Sequence, residues 1–178
     1  MTTTEEHTFY MQKALEEALS DNCVPLQTAF CVGCVLVARW PGIKPLTLAT
    51  GYSRELPGNT HAEANALSKA FSLSRSHLTA LFSLVSPSIS SIEEVMPYTD
   101  VYTTLEPCSV RTSGLPACAD ALIKARVKRC IIGVGEPDDF VQCEGAQKLK
   151  DAGIDVLWLK GLEKQCLDAA RRGHNTEE

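Results

Sequence analysis

The sequence predicts an α/β fold, a sheet covered by helices, and three observations carry that reading. A Val- and Cys-rich run at 29–39 has the continuous apolar character of a strand buried on both faces. The second half of the chain alternates strand and helix patterns, and an amphipathic helix opens the first half. In sheets of this kind, functional sites gather at strand ends.

The elements follow in order. Between Thr4 and Ser20 the residues Phe9, Met11, Ala14, Leu15, Ala18 and Leu19 recur at spacings of three and four, which predicts a helix with one buried stripe. The 29–39 strand pairs in a hairpin with a second strand at 46–52, across a turn containing Trp40, Pro41, Gly42 and Pro45. Arg54 to Thr60 has loop chemistry, and Thr60 is placed to cap a helix over 61–71. Residues 72–97, with many serines and two prolines, read as a partly helical surface insertion. A strand at 100–105 leads through a long loop to a helix from Pro116 to Ala125. A buried strand at 129–135, a short helix at 145–152 ended by Gly153, a strand at 154–159 and a helix at 163–172 complete the chain. No internal repeat or linker interrupts it, so one domain over 1–178 is expected.

Composition narrows the function. A hydrophobic fraction of 44% and a charged fraction of 22% are those of an ordinary globule, and no apolar run approaches the roughly 20 residues that span a bilayer. The N-terminal Met-Thr-Thr-Thr-Glu-Glu-His lacks the basic and apolar stretches of a secretory signal, which points to the cytoplasm. A net charge of −5 argues against gripping nucleic-acid backbones and for a small substrate. In a reducing compartment most of the eight cysteines are expected to be inert.

The chemistry concentrates in His61-Ala62-Glu63 and in Pro107-Cys108 followed by Cys118. One imidazole and two thiolates give the three protein ligands of a catalytic zinc site and leave a fourth position for water. First turns of helices supply free N–H groups that favour thiolate. Residues two apart in a helix do not face each other, so His61 and Glu63 converge only near its end. Glu63 then stands beside the metal, where a carboxylate can take a proton from zinc-bound water and return it to a leaving amine. Cys31 and Cys34 are three apart on a strand, point to opposite faces and are read as core. Cys23, Cys130, Cys143 and Cys166 have no matching partners and are read as packing. His7 and His77 are read as solvated. His174 stands apart because a C-terminal tail can cover a pocket. The run Lys124, Arg126, Lys128 and Arg129 suits a helix C-terminus first and a phosphate second.

The segments Thr60-His-Ala-Glu-Ala-Asn-Ala-Leu67, Tyr102-Thr-Thr-Leu-Glu-Pro-Cys108 and Pro116-Ala-Cys-Ala-Asp-Ala-Leu-Ile123 resemble the cytidine-deaminase superfamily. Nine residues stand between Cys108 and Cys118 where ordinary members have two, and that longer loop is similar to the riboflavin-biosynthesis branch. The stretches 51–59 and 136–140 look like the fungal version of that branch. The resemblance implies a three-layer α/β/α sandwich with a mixed central sheet of about five strands. It further implies one zinc ion per chain, a homodimer, and a stand-alone enzyme that removes the 2-amino group of 2,5-diamino-6-ribitylamino-4(3H)-pyrimidinone 5′-phosphate as ammonia.

The chain departs from bacterial relatives at Thr28-Ala29-Phe30, where they carry Pro-Asn-Pro, and within the cysteine loop. Substrate contacts are therefore expected by chemistry alone: Glu55 and Asn59 toward amino and ring N–H groups, and Ser109, Arg111 and Ser113 toward the phosphate. Two other readings stay open, a cytidine- or tRNA-adenosine-type deaminase and a non-catalytic zinc-bearing partner subunit. The acidic balance and the long loop favour the small phosphorylated aminopyrimidine, and the presence of Glu63 favours an enzyme.

Overall fold

The computed structural model describes residues 3–84, 89–111, 114–135 and 144–174. Its centre is a five-stranded sheet of β1 (Gly33–Ala38), β2 (Leu46–Tyr52), β3 (Thr99–Leu105), β4 (Arg129–Val134) and β5 (Asp155–Trp158), in the order β2-β1-β3-β4-β5. β1 runs antiparallel to both β2 and β3, whereas β3, β4 and β5 are mutually parallel. The hairpin accounts for the first pairing and the helical crossovers for the second, so the sheet is mixed as expected.

Strand residues alternate between two apolar layers, as a period of two requires. Val35, Val37, Tyr102 and Ile131 face α1 (Thr4–Leu19) and α7 (Glu163–Ala170), through Met11, Ala14, Leu15, Ala18 and Cys166. Cys34, Leu36, Ala38, Val101, Cys130 and Ile132 face the other layer, which holds α2 (Ala62–Phe71), α5 (Cys118–Ala125) and α6 (Gly145–Asp151). The architecture is thus α/β/α. Gly33 lets α1 lie directly on β1, since a Cβ there would come within 1.9 Å of the Ala14 carbonyl oxygen.

The segment 72–97 differs from the surface insertion expected of it. Its described residues form α3 (Arg75–Leu81), α4 (Ile92–Val95) and a 3-10 turn at Met96–Tyr98. Leu78, Phe82, Ile89, Ile92, Val95 and Met96 are all buried in the α2-side core. Short apolar stretches between serines hide the true pattern, because each short helix contributes only one or two core residues. Of the cysteines, Cys23, Cys31, Cys34, Cys130 and Cys166 are buried and unbridged. Cys31 stands before β1 rather than in it, and Cys143 lies outside the described residues.

A buried polar network joins α1 to the sheet at the end of β3 away from Leu105. Arg39 donates to Asp100 Oδ2 at 2.5 Å, to Glu6 Oε1 at 2.9 Å and to the Tyr102 hydroxyl at 2.7 Å. His7 Nδ1 meets the same hydroxyl at 2.9 Å. His7 is therefore buried against this network and not solvated.

Candidate active site

The site lies at the C-terminal end of β3, where that strand runs into the 106–117 loop, and at the N-terminal ends of α2 and α5. His61 is the N-cap of α2, in extended backbone with φ −93° and ψ 154°, and it makes no side-chain cap bond. Thr60, expected as the cap, instead donates its hydroxyl to the Leu56 carbonyl and accepts from Asn65 Nδ2. The imidazole is thereby left to point at sulfur. Its Nδ1 lies 3.5 Å from Cys108 Sγ and 3.4 Å from Cys118 Sγ, and the three ligand atoms lie within 4.8 Å of one another. Among the described residues no other trio of His, Cys, Asp or Glu is gathered in this way.

These separations fit zinc. For metal–ligand bonds of about 2.05 Å to nitrogen and 2.3 Å to sulfur, a tetrahedral arrangement puts nitrogen and sulfur about 3.5 Å apart. The donor set has the right softness for zinc. The Cys118 N–H, in the first turn of α5, donates to Cys108 Sγ at 3.3 Å. Bonding from the Cys118 thiol, this N–H and His61 hold Cys108 well below the ordinary thiol range, favouring thiolate. The Cys108 sulfur in turn raises the affinity of His61 for a proton.

Glu63 sits in the first turn of α2 and is 3% exposed. Burial raises its pKa above the usual carboxylate range. The Thr103 hydroxyl, on β3, reaches its Oε1 at 3.1 Å and the Leu105 carbonyl at 3.0 Å. The first turn of α2 rests on β2 at Gly51, where a Cβ would come within 2.4 Å of the Ala62 carbonyl oxygen.

His61, Glu63 and Cys108 line a cavity of about 240 Å³ together with Thr28, Phe30, Val32, Ser53, Arg54, Asn59 and Glu106. Of the residues expected to contact substrate, Asn59 is on this wall. Glu55 is not: its carboxylate pairs with Lys69 of α2 at 2.5 Å and accepts from the Tyr52 N–H. The Ser109 hydroxyl accepts from the Glu144 N–H, on a separate pocket with Lys148. Arg111 donates to the Asn59 carbonyl and faces the groove between α2 and α5. Ser113 lies outside the described residues.

Phe30, Arg54 and Glu106 were not expected at the site from the sequence. Arg54 adopts φ 66°, and its backbone N–H bonds the Thr60 carbonyl at 2.6 Å. Its guanidinium donates to the carbonyls of Phe30 and Val24 at 3.0 and 2.7 Å. Glu106 accepts from the Ala146 N–H at 2.8 Å, which fastens α6 to the cavity rim. Glu106 within the Tyr102–Cys108 segment and Phe30 at the departure from Pro-Asn-Pro were the available signals.

The model of the cytidine and deoxycytidylate deaminase zinc-binding region matches residues 4–134. A diaminohydroxyphosphoribosylamino-pyrimidine deaminase of Schizosaccharomyces pombe is 41% identical over 168 residues, covering 94% of this chain and 36% of its own. The riboflavin biosynthesis protein RibD of Actinobacillus pleuropneumoniae is 30% identical over 138 residues, covering 78% of this chain and 28% of its own. The chain thus spans about a third of the length of these curated relatives. Among solved structures, a C-terminal deletion mutant of Aspergillus oryzae Rib2 deaminase at pH 4.6 superposes with a TM-score of 0.74 at 34% identity, covering 96% of this chain and 93% of that one. The same mutant in complex with DARIPP gives 0.68 at 30% identity, covering 95% and 92%.

Proposed function

Because the chain belongs to the cytidine and deoxycytidylate deaminase zinc-binding family, we propose that it is a hydrolytic pyrimidine deaminase of riboflavin biosynthesis. The substrate is 2,5-diamino-6-ribitylamino-4(3H)-pyrimidinone 5′-phosphate, whose 2-amino group leaves as ammonia. The observation that carries the reading is the convergence of one imidazole and two sulfurs beside a buried glutamate, with His61, Glu63 and Cys108 lining one cavity. The names of the relatives support the pyrimidine and the pathway.

His61, Cys108 and Cys118 would hold one zinc ion per chain. When bound, zinc acts as a Lewis acid and lowers the pKa of water toward about 7. Glu63 takes a proton at its carboxylate from the water that attacks the ring carbon, and delivers it to the departing amine. Its burial favours the protonated form that this delivery needs. Thr103 fixes the carboxylate from the sheet side.

Residues 1–178 act as one deaminase domain in the cytoplasm. No helix of the described residues is long and apolar enough to cross a membrane, in keeping with a small-molecule enzyme. The protein works as a homodimer, and the groove between α2 and α5, with Leu67, Phe71 and Leu115 on its walls, offers an apolar face for it. The decisive experiment incubates purified protein with aminopyrimidine nucleotides, cytidine and single-stranded nucleic acid and measures ammonia. Release from the ribitylamino phosphate first is expected. Release from cytidine or nucleic acid alone would overturn the assignment.

A further inference from the structure

Thr28, Ala29, Phe30 and Val32 bring an irregular loop, residues 23–32, to the cavity that His61 and Cys108 also line, and the loop's aromatic residue is Phe30. Apart from an isolated bridge between Leu26 and Ala29, the loop has no ladder of its own. Its shape depends on what grips it from either side. From the cavity side, Arg54 bonds the carbonyls of Phe30 and Val24.

From the outer side the grip comes from the last residue of α7 and the residues that follow it. The Cys31 N–H donates to the Ala170 carbonyl at 2.9 Å. The Arg172 guanidinium donates to the carbonyls of Leu19 and Ser20 at 2.8 and 3.3 Å, and also to that of Cys23. Gly173 passes so close to the loop that a Cβ would come within 2.8 Å of the Leu26 nitrogen and the Pro25 side chain. The His174 ring then lies on the Phe30 ring, with centroids 5.0 Å apart and planes inclined by 31°. Phe30 thus lines the cavity while its ring packs against an imidazole from a segment more than a hundred residues away in sequence.

A planar pyrimidine bound at the metal must lie against some wall, and an aromatic ring offers an offset stacking face. We propose that Phe30 is the platform for the pyrimidine ring and that His174 is a positioning residue that holds this platform in place. The inference rests on the deaminase reading above. It makes the stretch after α7 a determinant of substrate affinity although no part of it bears on the proton transfer.

The test compares the zinc-loaded protein with His174→Ala, His174→Phe, Phe30→Leu, Phe30→Ala and the Phe30→Ala/His174→Ala pair. His174→Ala and Phe30→Leu are expected to raise KM for the aminopyrimidine about three- to tenfold while kcat holds within about twofold. His174→Phe, which keeps a ring against Phe30, should restore KM. The double variant should be no worse than Phe30→Ala alone, because His174 acts through Phe30. An unchanged KM in His174→Ala, a drop confined to kcat, or effects that simply multiply would overturn the proposal.

Phe30→Leu carries the comparison if Phe30→Ala does not fold. A second measurement needs no substrate: amide hydrogen exchange over residues 24–32 should quicken in His174→Ala. Unchanged exchange overturns the brace whatever the substrate is. A wild-type protein that releases ammonia from no aminopyrimidine overturns the functional reading instead, and the exchange result still decides the brace.

Discussion

The Thr103 hydroxyl approaches Glu63 Oε1 at 3.1 Å and has the Leu105 carbonyl as a second acceptor at 3.0 Å. One hydrogen therefore serves two acceptors. Whichever it chooses, the oxygen remains beside the Glu63 carboxyl, able to accept if that group carries the proton. Thr103→Val keeps the shape and removes this partner. Turnover is expected to fall about ten- to hundredfold, the range for a hydrogen bond to a charged group, with zinc content unchanged. Turnover within twofold of wild type would show that Glu63 is fixed by other contacts.

Glu63→Gln preserves volume but cannot move a proton. It should retain fold and zinc while activity drops at least about a hundredfold. Steady-state kinetics beside metal analysis checks this, and near-normal turnover would assign the proton transfer elsewhere.

Wild-type protein should contain about one zinc per chain, and Cys118→Ser should lose most of it. Because His61 is the N-cap of α2, Cys108 follows β3 and Cys118 opens α5, a metal held by all three would link its binding to folding. Chelation should therefore lower the melting temperature of the wild type more than that of Cys118→Ser. Full zinc occupancy in the variant would remove Cys118 from the ligand set.

Arg111 carries a prediction opposite to the one its sequence suggests. Its bond to the Asn59 carbonyl makes it a support for the cavity rim. Arg111→Ala should raise KM by about fivefold, as for the loss of one ordinary hydrogen bond, and equally for phosphorylated and dephosphorylated substrates. An effect confined to the phosphorylated one would return Arg111 to the phosphate.

Acid should weaken the α1 side of the fold through His7. Burial lowers its pKa below 6.5; Arg39 and Arg129 add to the lowering, whereas Asp100 and Glu6 oppose it. The folded state thus binds this proton less readily than the unfolded chain. The stability His7 contributes is present above pH 6.5 and is lost as pH falls through the folded value. Urea midpoints between pH 7.5 and about 5 should decline more steeply for wild type than for His7→Gln. Parallel declines would assign the acid sensitivity to other groups.

Much of this was legible because the signals were local. Val35, Val37 and their neighbours announce β1 by unbroken apolar character, and His61-Ala-Glu63 and Cys108 stand at element ends where ligands belong. What stayed hidden depended on partners distant in sequence. Nothing in the serines around Leu78 and Phe82 tells that these side chains reach the core. Glu55 looked available for substrate, yet Lys69 lies one helix away and takes it. Phe30 and His174 could meet only once α7 had docked on the sheet. Charged and aromatic residues on loops are the ones whose neighbours a one-dimensional pattern leaves unspecified.

The glycine at position 51 has a further consequence. With no side chain at that point, strand and helix backbones touch, and the sheet acts as a depth stop for the turn that carries Glu63. A single methyl group there would shift the carboxylate relative to the sulfurs without altering any residue that touches either. Activity is thus exposed to a substitution at a strand position outside the cavity, and a survey of variants that watches only the cavity lining would overlook it.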